Sequence, residues 1–162
     1  MEAAAIVLAA GAGTRMKSKK PKVAHEVLGK PLVRWVVDAA HAAGVTQVAT
    51  VVGHARERVI PLVEGDTQVV VQEVQNGTAG AVLACADAFA GFDGSLSVLT
   101  GDCPLIKPET IARLAQVRDE NNAAVVVLTM KLDDPTGYGR IIRDADGQVE
   151  RIVEQKDATP DE

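Results

Sequence analysis

Short apolar runs at residues 3–8, 47–52, 67–72, 95–100 and 124–131 alternate with stretches of helical pattern, and that alternation leaves few folds open. Valine dominates the runs, as expected of parallel strands buried on both faces. The intervening stretches, at residues 31–43, 56–63, 78–90 and 108–121, are rich in alanine and carry apolar residues at helical spacing. In the first of them Leu32, Val36, Ala39 and Ala43 share one face, and Val33, Val37 and Ala40 an adjoining one. Pro31 stands at its start and Gly44 just past its end, the usual asymmetry of helix boundaries. Strands joined through helices require crossovers, and these are right-handed. The expected fold is therefore α/β, a doubly wound, mostly parallel sheet with a binding crevice at the carboxyl ends of its strands.

After Lys131 the pattern changes. Asp133-Asp134-Pro135-Thr136-Gly137-Tyr138-Gly139 is turn-rich, and residues 140–143 and 148–153 flank Asp144-Ala145-Asp146-Gly147 as the arms of a β-hairpin. This excursion near the C-terminus is expected to cover the crevice. With 162 residues, 47% of them hydrophobic, the chain is expected to form a single domain with a substantial core. Its net charge of −5 argues against a general nucleic-acid surface, which needs a basic face. No apolar run reaches the length of a membrane span, and the opening Met-Glu-Ala-Ala-Ala lacks the basic start of a secretion signal. The expected location is cytoplasmic, with neither nucleic acid nor membrane as a partner. Cys85 and Cys103 have no CxxC or His/Cys cluster around them, so both are expected to be buried thiols. Trp35, Phe89, Phe92 and Tyr138 are the only aromatics, too few for a base-stacking platform.

Chemistry concentrates at three strand ends. The first apolar run leads into Leu8-Ala9-Ala10-Gly11-Ala12-Gly13-Thr14-Arg15-Met16, followed by Pro21-Lys22. A backbone turning at Gly11 and Gly13 can bring its N–H groups close to phosphate oxygens, and Arg15 and Lys22 add full positive charge. No Gly-x-x-x-x-Gly-Lys-Ser/Thr run occurs, which disfavours a P-loop. Met16 stands where a dinucleotide fingerprint needs its third glycine. A plain strand-to-helix turn remains the alternative for the glycines alone. The third run leads into Gln72-Glu73-Val74-Gln75-Asn76-Gly77-Thr78, where an amide side chain can match the edge of a pyrimidine ring and Thr78 can instead cap a helix. The fourth ends in Thr100-Gly101-Asp102. A carboxylate there is either a turn cap or a ligand for Mg²⁺, which binds one or two carboxylates with phosphates and water. His25, His41 and His54 are dispersed without ligand spacing and receive no role.

Five motifs in order complete the pattern. They are Leu8-Ala9-Ala10-Gly11 through Pro21-Lys22, Gln72-Glu73-x-Gln75-x-Gly77-Thr78, Gly101-Asp102-x-Pro104-Leu105, Asp133 through Ile141, and Ile152-Val153-Glu154-x-Lys156-Asp157-Ala158. Together they resemble bacterial N-acetylglucosamine-1-phosphate uridyltransferase, the amino-terminal half of a bifunctional enzyme of UDP-N-acetylglucosamine synthesis. The resemblance implies a Rossmann-like nucleotidyltransferase that uses UTP, N-acetylglucosamine 1-phosphate and Mg²⁺ and releases pyrophosphate. Carried over by motif, it implies that Leu8, Ala9, Ala10, Gly11 and Gln72 hold the uridine end, with Gly77 and Thr78 beside it. Arg15 and Lys22 would meet the phosphates and Asp102 would hold Mg²⁺, the three acting as catalytic residues. Thr100 and Gly101 would lie alongside the metal and sugar, and Gly139 and Glu154 would contact the amino sugar. Thr100 stands where a close relative would have Tyr. Such enzymes continue beyond residue 162 with further sugar contacts, a second metal-binding asparagine and a trimeric left-handed β-helix that carries acetyltransferase activity. The chain is thus expected to be a shortened nucleotidyltransferase domain.

The chemistry suits these residue types. A sugar phosphate is already a nucleophile, so catalysis rests on aligning its oxygen with the α-phosphorus and neutralising the leaving pyrophosphate. Two other readings stay open: a related nucleotidyltransferase with another base or sugar, and a nucleotide-binding module without catalysis.

Overall fold

A computed structural model of the chain describes residues 2–13 and 16–161. Its contacts divide the chain into two compact units after Val126. The first contains β1 (Ala3–Ala9), a 3₁₀ turn at Lys22–Ala24, the two-residue strands β2 (Glu26–Val27) and β3 (Lys30–Pro31), and α1 (Leu32–Ala42). Then follow β4 (Gln47–Val52), α2 (Ile60–Val63), β5 (Gln68–Val71), α3 (Gly77–Leu83), β6 (Ser95–Thr100) and α4 (Pro108–Glu120). The second unit holds the antiparallel pair β7 (Arg140–Arg143) and β8 (Val149–Val153).

The expected α/β architecture forms. A four-stranded parallel sheet runs in the order β5-β4-β1-β6, with Ile6 of β1 opposite Ala49 of β4 on one side and Val98 of β6 on the other. Because side chains alternate along a strand, β1 feeds two cores. Ala5, Val7 and Ala9 join Val48 and Val52 of β4, Val33, Val36 and Val37 of α1 and Ile111 of α4. Ile6 joins Ala49 and Val51 of β4, Ala81 of α3 and Cys85. Helices thus cover both faces, which is why these strands read as continuous apolar runs. Helix α1 stops where the sequence says it should. Gly44 takes φ +85°, its N–H donates to the His41 carbonyl at 2.9 Å, and the Val45 N–H reaches back to Ala40 at 3.2 Å.

Three expected elements differ. Residues 124–131 form no strand: no ladder partner exists for them among the described residues, and Val125, Leu128 and Met130 remain exposed. Apolar β-branched composition favours a strand only where a neighbouring backbone can pair with it. The helix expected at residues 56–63 breaks into a 3₁₀ turn at Arg56–Arg58 and the single turn of α2. Ala55 is left-handed at φ 50°, and Pro61 has no N–H for a helical bond back to residue 57. The helix expected at residues 78–90 ends at Leu83 and gives way to a 3₁₀ turn at Asp87–Phe89. Among the described residues, no helix is long and apolar enough to cross a membrane.

Candidate active site

From β1 the chain steps outward through β4 to β5, then returns to lay β6 on the other side of β1. The order of strands therefore reverses between β1 and β6, and a crevice opens at the carboxyl ends of two strands that diverge there. The loop after β1 carries Ala10, Gly11 and Gly13, and the loop after β6 carries Gly101, Asp102 and Cys103. Gly101 binds the two ends together, its N–H donating to the Leu8 carbonyl at 2.9 Å. A Cβ at Gly101 would lie 2.8 Å from that same oxygen. Gly101→Ala is therefore expected to force β6 from β1 and to destabilise the fold by about 1–3 kcal/mol, the usual cost of overpacking. Chemical denaturation checks this, and an unchanged unfolding midpoint would contradict it.

Lys22 opens the 3₁₀ turn, and its ammonium pairs with Asp102 Oδ2 across the crevice. Pro21, in an extended conformation (ψ 143°), aims the chain into this turn, and Val23 and Ala24 anchor it in the interior. The loop folds tightly against it: Gly13 has φ +62°, and a Cβ there would fall 2.6 Å from Lys22 Cβ. Lys22 and Asp102, far apart in sequence, are thus brought together. Both keep partial solvent access, with side-chain exposures of 38% and 30%. Arg15, the other cation expected here, lies outside the described residues, as does Thr14. Past the loop, Arg58 Nη1 donates to the Lys19 carbonyl at 2.7 Å and ties the segment before Lys22 to the β4–α2 connection.

Leu8 is half-buried, Ala9 and Ala10 are buried, and Gly11 is exposed. At the end of β5 the backbone of Gln72 still follows the sheet, donating to the Val52 carbonyl at 2.8 Å. Its side chain is buried, and Nε2 donates both to Asn76 Oδ1 (3.0 Å) and to the Gly77 carbonyl (3.1 Å). The amide nitrogen has only two hydrogens, so these two bonds commit it to shaping the turn. Gly77, at φ +90°, leads into α3, and Thr78 is exposed. Thr78 does not cap α3: Asn76 occupies the N-cap position and no side-chain hydrogen bond caps the helix.

Thr100 is exposed, and its hydroxyl donates to Cys103 Sγ at 3.0 Å. Cys103 is exposed rather than buried as expected, because the turn after β6 carries it out beside Asp102 instead of into a core. Cys85 does lie in the core, where burial pushes its thiol above the ordinary range and keeps it protonated.

In the second unit Arg140 pairs with Val153, so Gly139 and Glu154 flank that pair at one end of the hairpin, both exposed. The Gly137 N–H donates to Gln155 Oε1 at 2.8 Å, closing the excursion onto the hairpin. At the other end Asp144 Oδ1 accepts from the N–H groups of Asp146 (3.0 Å) and Gln148 (2.8 Å), the turn expected from Asp-Ala-Asp-Gly.

The donor set bears on a metal. Among the described residues no three His, Cys, Asp or Glu side chains converge to hold an ion. The single carboxylate of Asp102 fits Mg²⁺ or a similar hard cation only if phosphate oxygens and water supply the remaining ligands.

Comparison with known proteins places the chain among nucleotidyl transferases. Residues 5–153 match the MobA-like NTP transferase domain family. A bifunctional protein GlmU from Pelotomaculum thermopropionicum is 49% identical over 162 residues, which is 100% of this chain and 35% of that protein. The chain thus spans about a third of the length of such relatives. A nucleotidyl transferase from Methanothermobacter thermautotroptrophicus superposes with a TM-score of 0.63 at 29% identity, covering 71% of this chain and 57% of its own. A manganese complex of Rv0371c from Mycobacterium tuberculosis superposes at 0.58 with 27% identity, covering 72% and 59%.

Proposed function

Since the chain belongs to the MobA-like NTP transferase domain family, we propose that it transfers the uridylyl group of UTP to N-acetylglucosamine 1-phosphate, giving UDP-N-acetylglucosamine and pyrophosphate. The observation that carries this reading is the Lys22–Asp102 pair, set at the reversal of strand order beside a loop with exposed glycine backbone. The likeness to GlmU over the whole chain and the five motifs in order support the choice of base and sugar.

Each residue then has a task. Backbone N–H groups of the loop after β1 receive phosphate oxygens. Lys22 exchanges Asp102 for the phosphates and stabilises the charge that grows on the leaving pyrophosphate. Asp102, so released, is the residue that would hold Mg²⁺, which when bound offsets phosphate charge. The manganese complex of a structural neighbour supports a divalent cation in this role. Gln72 reads the base: with Nε2 committed to Asn76 and Gly77, its oxygen is what it can offer, an acceptor suited to the N3–H of uracil and unsuited to the unprotonated N3 of cytosine. Gly77 and Thr78 border that turn, and Thr100 and Gly101 border Asp102.

The test is pyrophosphate release with the four nucleoside triphosphates against several sugar phosphates in the presence of Mg²⁺. UTP with N-acetylglucosamine 1-phosphate is expected to turn over fastest, with CTP at least tenfold poorer, the order of discrimination that one unpaired polar contact gives. Faster turnover of another pair would overturn the choice of substrates. UTP binding without product would overturn the transferase.

A further inference from the structure

The amide of Gln75, in the turn between β5 and α3, lies against Gly53 at the end of β4 and Ala10 at the root of the glycine loop. In the amide orientation that satisfies both of its groups, the nitrogen donates to the Ala10 carbonyl (3.2 Å) and the oxygen accepts from the His54 N–H (3.0 Å). The His54 N–H also donates to the Ala10 carbonyl at 3.2 Å. Loops that follow three different parallel strands therefore meet at one side-chain amide. Gly53 permits the meeting: a Cβ there would fall 2.5 Å from the Gln75 side-chain amide, 3.0 Å from Ala10 Cβ and 3.1 Å from the Ala10 oxygen.

What this contact fixes is a peptide plane. The carbonyl of Ala10 and the N–H of Gly11 belong to the same planar trans unit and point in opposite directions. Two donors drawing the carbonyl toward β4 and β5 direct the Gly11 N–H away from them. Gly11 is exposed, and a Cβ there would meet no atom within 4 Å, so local packing does not hold this peptide in place.

We infer that Gln75 is a positioning residue: it orients the Ala10–Gly11 peptide so that the Gly11 N–H faces the nucleotide, without touching the nucleotide itself. The inference rests on the reading of this loop as the nucleotide site. Gln75→Leu removes both hydrogen bonds at similar size. Gly53→Ala keeps Gln75 but places a methyl where its amide lies. Calorimetric titration of each chain with UTP and with CTP is expected to show both nucleotides weakened by the same factor, about tenfold for the loss of two ordinary hydrogen bonds. The NMR order parameter of the Gly11 amide is expected to fall in both variants, while those of β1 and β4 stay at the rigid-backbone level. Unchanged affinities would overturn the inference. Loss for UTP alone would also overturn it, since Gln75 would then contact the base. If the parent chain bound no nucleotide, the functional reading would fall instead, and an unchanged Gly11 order parameter would separately reject the positioning role.

Discussion

Replacing Lys22 by alanine is expected to lower uridylyl transfer about 10²–10³-fold, the usual loss when one preorganised charge-stabilising group is removed, while the fold survives. The fold survives because the Lys22–Asp102 pair is partly exposed to solvent, and a pair of that kind contributes only about 0–1 kcal/mol. The same comparison favours exchange of Asp102 for a phosphate in the proposed role of Lys22. A hydrogen bond to a charged phosphate is worth about 1.5–3 kcal/mol, more than the pair it replaces. The turn that carries Lys22 is held by buried Val23 and Ala24, not by the ammonium, so truncation leaves the backbone in place. Pyrophosphate release in a coupled assay, alongside thermal unfolding, checks both halves of the expectation. Turnover equal to that of the parent chain would contradict the role given to Lys22.

Asp102→Asn is expected to cost a similar 10²–10³-fold in turnover, with the opposite effect on binding. Asparagine keeps the shape and removes the charge that competes with phosphate for the ammonium of Lys22. In a chelator, without divalent cations, the variant should bind UTP at least as tightly as the parent. With Mg²⁺ present the parent should gain affinity and the variant should gain much less, because among the described residues no other carboxylate completes a cluster there. Calorimetry under the two conditions reads this directly. Equal Mg²⁺ enhancement in both chains would show that Asp102 holds no metal.

Much of the scaffold was legible in the residue pattern, for a physical reason. Parallel strands buried on both faces need uninterrupted apolar residues, so β4 appears at the bounds its composition indicates, and Gly44 stops α1 by a mechanism that can be read locally. Residues 124–131 show the limit of that logic, since valine-rich composition expresses a preference that only a neighbouring strand can satisfy. Residues 56–63 misled for a different reason: helical spacing was present, but Pro61 and the left-handed Ala55 override it.

The candidate site was legible as motifs and not as contacts. Gly11, Lys22, Gln72 and Asp102 stand out by type and by position after strands. Yet the partnership of Lys22 with Asp102 depends on β6 lying beside β1, which periodicity does not encode. Gln75 stood in a motif without a task of its own, and Gly53 and Arg58 received none, because each acts on a loop distant in sequence: Gln75 and Gly53 at Ala10, Arg58 at Lys19. The one usable signal was Gly53 directly after an apolar run, a position where two backbones can approach closely. Cys103 was misplaced because the burial preference of its residue type says nothing about a turn that opens into solvent.

The central claim is that nucleotide and metal meet where the order of strands reverses, between the loops that follow β1 and β6. An amide chemical-shift titration of the chain with UTP and Mg²⁺ tests it most directly. The largest changes are expected on Ala10, Gly11 and Gly13, on Lys22, on Gln72, Gly77 and Thr78, and on Gly101, Asp102 and Cys103. Changes centred elsewhere on the sheet, or none at saturating UTP, would contradict it.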